Sequence, residues 1–217
     1  MNNENLSFLL KRLSDLGFSD DLIPLDQLLH ASATEPKEFH LLIEPCVCDC
    51  QLEAKLYFRR SDYDEMYFFN RYDILIKSEH DPGGERRQTF HITGGKGVTL
   101  KEAFNLLQGR AVYKEMIGRE REKYKAWIKL NLEQKDENDG YKVKQYRGQY
   151  QYELDKILPK YPILEMGNER SKQKLIIDLQ EGNRCPVTFQ KPKRIEKMYI
   201  EANPATKTIN IFPIRNK

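Results

Sequence analysis

Two adjoining stretches decide the fold class: Leu52-Glu53-Ala54-Lys55-Leu56-Tyr57-Phe58-Arg59, and then Met66-Tyr67-Phe68-Phe69-Asn70-Arg71-Tyr72-Asp73-Ile74-Leu75-Ile76-Lys77. In the first, Leu52, Ala54, Leu56 and Phe58 alternate with Glu53, Lys55, Tyr57 and Arg59, the period of a strand with one buried face. The second reads as its hairpin partner across the polar link Ser61-Asp62-Tyr63-Asp64. The period of two begins at Glu38. A turn at Asp81-Pro82-Gly83-Gly84 then precedes another strand from Gln88 to Thr93.

The N-terminal segment has helical spacing. Leu6, Leu9, Leu10, Leu13 and Leu16 recur at three and four residues, and Gly17 stands where a helix would close. A second short helix is expected with Ser19 as its N-cap and Leu22, Ile23, Leu25, Leu28 and Leu29 as its apolar positions, Pro24 limiting its start. Gly94-Gly95-Lys96-Gly97 separates this region from Thr99-Leu100-Lys101-Glu102, a capping box opening a helix that Gly109 should stop. That helix is expected to pack on the sheet that follows it. Strands follow at Arg110–Lys114, Tyr124–Glu133 and Tyr141–Tyr146, the last two joined through Asn138-Asp139-Gly140. A helix between Asn168 and Gly182 precedes strands at Pro186–Gln190, Glu196–Ala202 and Thr208–Phe212. The order helix–strand–strand–strand thus occurs twice. The expectation is an α+β chain of repeated helix plus antiparallel hairpin or sheet units, divided into residues 1–97 and two units at about 98–162 and 163–217.

The 217 residues carry 36 Lys+Arg against 33 Asp+Glu, with 11% aromatic residues. Mean hydropathy is −0.73. A balanced charge and abundant aromatics argue for a folded chain. No apolar run approaches the roughly 20 residues of a membrane span. Residues 1–5 lack the basic start of a secretory signal, so a soluble, cytoplasmic protein is expected. The charge is unevenly placed. Residues 1–65 hold 13 acids and 6 bases, whereas residues 66–217 hold 20 acids and 30 bases. A basic second part suits nucleic acid or an acidic protein partner.

Cys46-x-Cys48-x-Cys50 on a regular strand would set its thiols on one face about 7 Å apart. Tetrahedral zinc needs sulfurs about 3.8 Å apart, so no metal site is expected unless a bend after Pro45 recruits Cys185 or His40. The glycine-rich 94–97 stretch precedes a helix, as a phosphate loop does, but lacks the Gly-Lys-Ser/Thr order. Lys135–Gly140 lacks the closing Glu of a calcium loop. The histidines His30, His40, His80 and His91 show no paired spacing, and no hydrolase or dinucleotide motif occurs. No catalytic residue, cofactor or metal is assigned.

Aromatic placement is more suggestive. On the strand Tyr124–Glu133, Ala126, Ile128, Leu130 and Leu132 share one face, leaving Trp127, Lys129 and Asn131 on the other. Tyr141, Tyr146, Tyr150 and Tyr152 occur nearby with Lys142, Lys144 and Arg147. Lys125, Trp127, Lys129, Lys142, Lys144 and Arg147 are therefore the expected nucleic-acid face, with bases stacking on Trp127 and phosphates on the cations. The alternative is a second buried layer in which helices cover Trp127.

Three further stretches carry a family resemblance: Tyr67-Phe68-Phe69-Asn70-Arg71-Tyr72, the run from Gly97 to Val112, and Ile200-Glu201-Ala202-Asn203-Pro204 before Lys207-Thr208-Ile209-Asn210. Over roughly residues 50–215 the chain resembles an uncharacterised domain family encoded on conjugative and other mobile elements of gut Bacteroidetes. The resemblance implies a nucleic-acid context by association and brings no catalytic residues. The resulting expectation is a non-enzymatic accessory protein binding single-stranded or distorted nucleic acid through its basic half. The rival is a protein–protein adaptor or inhibitor using sheet edges and aromatic patches, and a metal-dependent enzyme ranks third.

Overall fold

The computed structural model describes residues 1–77, 84–118, 120, 122–137, 139–192 and 194–214. The turn positions Asp81, Pro82, Gly83 and Asn138 lie outside them. The chain divides into two compact units, Met1–Leu107 with Lys135–Tyr141, and Gln108–Gln134 with Lys142–Lys217. Among the described residues both combine helices with antiparallel strands, the α+β class that the alternating and helical periods predict. No helix among those residues is long and apolar enough to cross a membrane.

The first unit begins with α1 (Asn3–Asp15), capped by Asn2, whose side chain accepts from the Asn5 amide at 2.8 Å. Leu9 and Leu13 are fully buried, each worth roughly 1.5–3 kcal/mol in removed apolar surface. Gly17 ends the run at φ +83°, with the Leu100 Cβ 3.7 Å from where its own Cβ would stand. The second helix differs from expectation. Pro24 cannot donate to a preceding carbonyl, so residues 20–22 form a separate 3₁₀ turn and α2 starts after the proline (Leu25–Ala33). Leu28 is buried there, while Leu25 and Leu29 are exposed.

Strands β1 (Glu38–Ile43), β2 (Cys46–Val47), β3 (Cys50–Arg60), β4 (Tyr67–Ile76) and β5 (Arg86–His91) form one sheet in the order β1-β3-β4-β5, with β2 on β3. Leu52, Ala54, Leu56 and Phe58 all face the core, as their alternation requires. A bulge shifts the register between Tyr57 and Phe58, which pair with Arg71 and Phe69. The extra residue, Asn70, lets Phe69 and Tyr72 both point inward although three positions apart. They stack into an aromatic core with Phe18, Phe39, Phe58 and Phe90.

Helix α3 (Leu100–Leu107) is opened by the expected capping box. The Thr99 amide donates to Glu102 Oε2 at 2.8 Å, and the Glu102 amide donates to Thr99 Oγ1 at 3.3 Å. It packs on β4 and β5, the sheet that precedes it, rather than on the one that follows. The reason is local. Gly94 and Gly95 adopt positive φ in a tight reversal closed by the Thr93–Lys96 bridge, so the chain turns straight back over the sheet it has left. The buried Tyr72 hydroxyl then donates to the Val98 carbonyl and fixes the return.

Cys46, Cys48 and Cys50 do not lie on one strand face. Cys48 and Asp49 both have positive φ, and Val47 pairs with Cys50 across a two-residue hairpin turn. Opposite residues share a face, so Cys50 lies with Val47 and Cys46 lies on the other side with Gln51. All three are exposed, and Cys185 is buried. Among the described residues no three His, Cys, Asp or Glu side chains are placed to hold a metal ion.

In the second unit β6 (Val112–Ile117), β7 (Lys123–Lys135) and β8 (Tyr141–Arg147) form a sheet in that order, with Tyr141 and Lys135 belonging to the first unit. A short helix α4 (Leu154–Ile157) and 3₁₀ turns at 158–160 and 164–167 lead to α5 (Glu169–Gln180), capped by Asn168. Strands β9 (Cys185–Lys191), β10 (Arg194–Asn203) and β11 (Thr208–Pro213) make a third sheet, ordered β11-β10-β9. The core joins Trp127, Tyr152, Leu158, Leu175, Leu179, Val187 and Ile200. The 148–167 segment has no clear period in the sequence, yet it supplies Tyr152, Leu154, Ile157, Leu158 and Ile163 to that core.

Candidate nucleic-acid interface

Strand β7 has the expected apolar stripe, with Ala126, Ile128 and Leu130 buried. Its opposite face is sorted differently from the expected binding surface. Trp127 is only 3% exposed. Its Nε1 donates to the Tyr152 carbonyl at 3.2 Å, and its ring meets Tyr152 edge-on and Tyr113 at a tilt, centroids 5.1 and 5.3 Å away. The ring is thereby buried against protein, the second-layer arrangement. Lys125 is exposed and Lys129 half-buried on the same strand face.

On β8, alternation puts Lys142, Lys144 and Tyr146 on one face and Gln145 and Arg147 on the other. Tyr146 packs against the cluster containing Trp127, so Lys142 and Lys144 share the Trp127 side and are exposed. Arg147 turns away. Its guanidinium lies 3.9 Å over the Tyr124 ring, with Nη2 donating to the Tyr124 hydroxyl at 2.8 Å and Nε to Gln145 Oε1 at 2.9 Å. The expected residues are therefore distributed over two strand faces. Tyr141 sits in the first unit, where its amide donates to Gln88 Oε1 at 2.6 Å.

The structure instead builds a groove of about 500 Å³ lined by Tyr113, Tyr124, Lys125, Tyr146, Arg147 and Tyr150, with Trp127 and Tyr152 in its wall. After β8 the chain reverses through a 3₁₀ turn at 148–150 and a left-handed Gln151, φ 46°. That reversal brings Tyr150 back to Tyr146, centroids 5.0 Å apart. The Tyr150 hydroxyl donates to the Ala205 carbonyl at 2.8 Å, and Lys207 Nζ lies 4.6 Å over its ring. Lys207 reaches this place because Asn203 caps the turn at 204–206 and Lys207 itself is left-handed. Tyr152 anchors the wall. Its hydroxyl donates to the Thr208 carbonyl at 2.7 Å and accepts from the Asn203 amide at 3.0 Å. Burial pushes the Tyr152 phenol far above its ordinary range and raises Tyr146 as well, so both stay neutral.

Chemically, this arrangement offers flat rings at the surface with a guanidinium and ammonium groups beside them. Sequence reading found Lys125, Tyr146, Arg147 and Tyr150 but missed Tyr113, Tyr124 and Lys207. Tyr124 had a signal, since it stands between Lys123 and Lys125. Lys207 had none, because it arrives from a turn more than fifty residues downstream. Comparison with protein-family models, curated proteins and solved structures finds no match.

Proposed function

We propose that the chain is a non-enzymatic, cytoplasmic accessory protein of a bacterial mobile element, binding single-stranded or distorted nucleic acid through the groove of its basic second unit. The observation that carries this reading is a groove lined by Tyr124, Arg147 and Tyr150, with Arg147 lying over the Tyr124 ring and Lys207 over that of Tyr150. Rings give sequence-tolerant stacking, and adjacent cations meet phosphates. Trp127 serves as the buried wall that holds Tyr113 and Tyr152, and Lys142 and Lys144 add field from the neighbouring strand. The resemblance of Gly97–Val112 and Ile200–Asn210 to a mobile-element family supports the same context. In this reading the repeat is one of chain order, α3 before β6–β8 and α5 before β9–β11, since α3 packs on β4 and β5.

The test is a fluorescence titration with short labelled oligonucleotides at low and moderate salt. Tyr124→Ala and Tyr150→Ala should each weaken binding by about 1–3 kcal/mol with little sequence preference. Arg147→Glu should lower both affinity and the salt slope. Binding unchanged by all three substitutions would remove the groove from the account. The adaptor reading has one observation in its favour, the exposure of Ile177 and Ile195 at 55% and 68%. Loss of a protein partner on Ile195→Lys, with no oligonucleotide binding, would decide for it.

A further inference from the structure

The outward face of the first sheet carries a second constellation. Register places His40 opposite Tyr57, Tyr57 opposite Arg71, and Arg71 opposite His91. Three rings and a guanidinium therefore form one row across β1, β3, β4 and β5, about 14 Å long at ordinary strand spacing. His40 and His91 at its two ends are exposed. Within the row the Arg71 guanidinium lies 4.3 Å over the Tyr57 ring, and the His40 ring is 6.0 Å from it. Lys55, in the adjoining row, sets Nζ 5.2 Å from the same ring.

Charge complementarity identifies the occupant. Among the described residues neither Lys55 nor Arg71 forms an ion pair, although both converge on Tyr57. The neighbouring carboxylate is already committed, because Asp73 accepts from the Tyr57 hydroxyl at 2.9 Å, Thr89 Oγ1 at 2.7 Å and Arg87 Nη2 at 2.7 Å. That network fixes the Tyr57 ring while leaving the two cations for an external anion. A row of flat groups flanked by cations that form no ion pair among the described residues, with the carboxylate opposite Lys55 already engaged, matches a chain of flat rings joined by anions. We infer that this face is a second nucleic-acid surface, on which two or three bases of a single strand stack along His40, Tyr57, Arg71 and His91 while Lys55 and Arg71 meet the phosphates. The inference rests on the nucleic-acid reading above and extends it to the first unit.

The experiment is ultraviolet crosslinking of an iodouracil-substituted oligonucleotide to the full chain, with crosslinked peptides mapped by mass spectrometry and affinities measured alongside. Crosslinks at His40, Tyr57 or His91 are expected. Affinity should fall about tenfold in Lys55→Ala/Arg71→Ala at unchanged melting temperature, with His91→Ala as an edge-strand variant that keeps the test alive should the first misfold. Crosslinks confined to residues 113–152, with affinity untouched by those substitutions, would overturn this inference and leave the groove standing. Crosslinks confined to the sheet face would support it and overturn the groove. Adenosine monophosphate protecting Tyr57 while the oligonucleotide never crosslinks there would overturn it in favour of a free-nucleotide site. No saturable oligonucleotide binding at low salt would overturn both.

Discussion

Asp73→Asn probes the polar network beneath the sheet face. The Asp73 side chain is 10% exposed, whereas its partner Arg87 is 57% exposed. Asparagine can turn its amide nitrogen toward Thr89, whose hydroxyl can reverse and accept, and keep its oxygen for Tyr57 and Arg87. What disappears is the charge on the acceptor. A hydrogen bond to a charged group contributes about 1.5–3 kcal/mol against about 0.5–1.5 for a neutral one, and the Arg87 share is discounted for its exposure. The expected loss is therefore about 2 kcal/mol at pH 7, or roughly 8 °C in melting temperature for a unit of about a hundred residues. Burial alone would raise the Asp73 pKa, but hydrogen bonds from Thr89, Arg87 and Tyr57, with the Arg87 charge, carry it below its ordinary 3.8. A carboxylate with a depressed folded pKa stabilises above its unfolded value and loses that contribution as pH falls through the folded one. The gap between wild type and variant should thus be full above pH 5 and close progressively below 3.8. Circular-dichroism melts of both proteins from pH 7 to 2.5 read this directly. Equal stability at pH 7, or a gap that persists unchanged at pH 2.5, would refute the reasoning.

Phe104, 4% exposed on α3, should cost about 3–5 kcal/mol on truncation to Ala, whereas Thr99→Ala should cost only about 1 kcal/mol through the lost cap, both read by urea denaturation. The hairpin geometry of the cysteines predicts that native protein reacts rapidly with a maleimide at Cys46, Cys48 and Cys50 but not at Cys185, as counted by intact mass. Protection of all three by added zinc would contradict the opposite-face placement of Cys46 and Cys50.

Those features were legible in the sequence to the extent that each is local. The strand Leu52–Phe58 and its partner Tyr67–Ile76 appear from alternation alone, and the capping box at Thr99 from four residues. What the sequence hid depends on backbone geometry with no side-chain period. Cys46-x-Cys48-x-Cys50 alternates like a strand, yet left-handed Cys48 and Asp49 fold it into a hairpin. The bulge at Asn70 moves Tyr72 inward against a strict period of two. Alternation puts Trp127 on its observed strand face, but the layer covering it comes from the 148–167 segment, whose turns carry no periodic signal. Lys207 meets Tyr150 only through that same segment and the turn after β10.

Net charge misleads about the first unit for a related reason. Residues 1–65 carry more than twice as many acids as bases, which would argue against an anionic ligand there. Placement reverses the conclusion. Glu4, Asp15 and Asp26 lie on helices, Asp20 and Asp21 on a 3₁₀ turn, and Glu35, Glu44, Asp49, Asp62, Asp64 and Glu65 on loops and turns. On the outward face of β1 and β3 only Glu38 and Glu53 remain, and Glu38 stands 3.8 Å from Arg59. Lys55 stands opposite Asp73, whose carboxylate is taken up by Tyr57, Thr89 and Arg87, and β4 adds Arg71 beside it. Field at a surface falls off within about 8–10 Å at ordinary ionic strength, so the acids on helices and loops contribute little to a ligand lying across the row. An oligonucleotide lying across the row would therefore meet the local cations of a unit whose first 65 residues are acidic in sum.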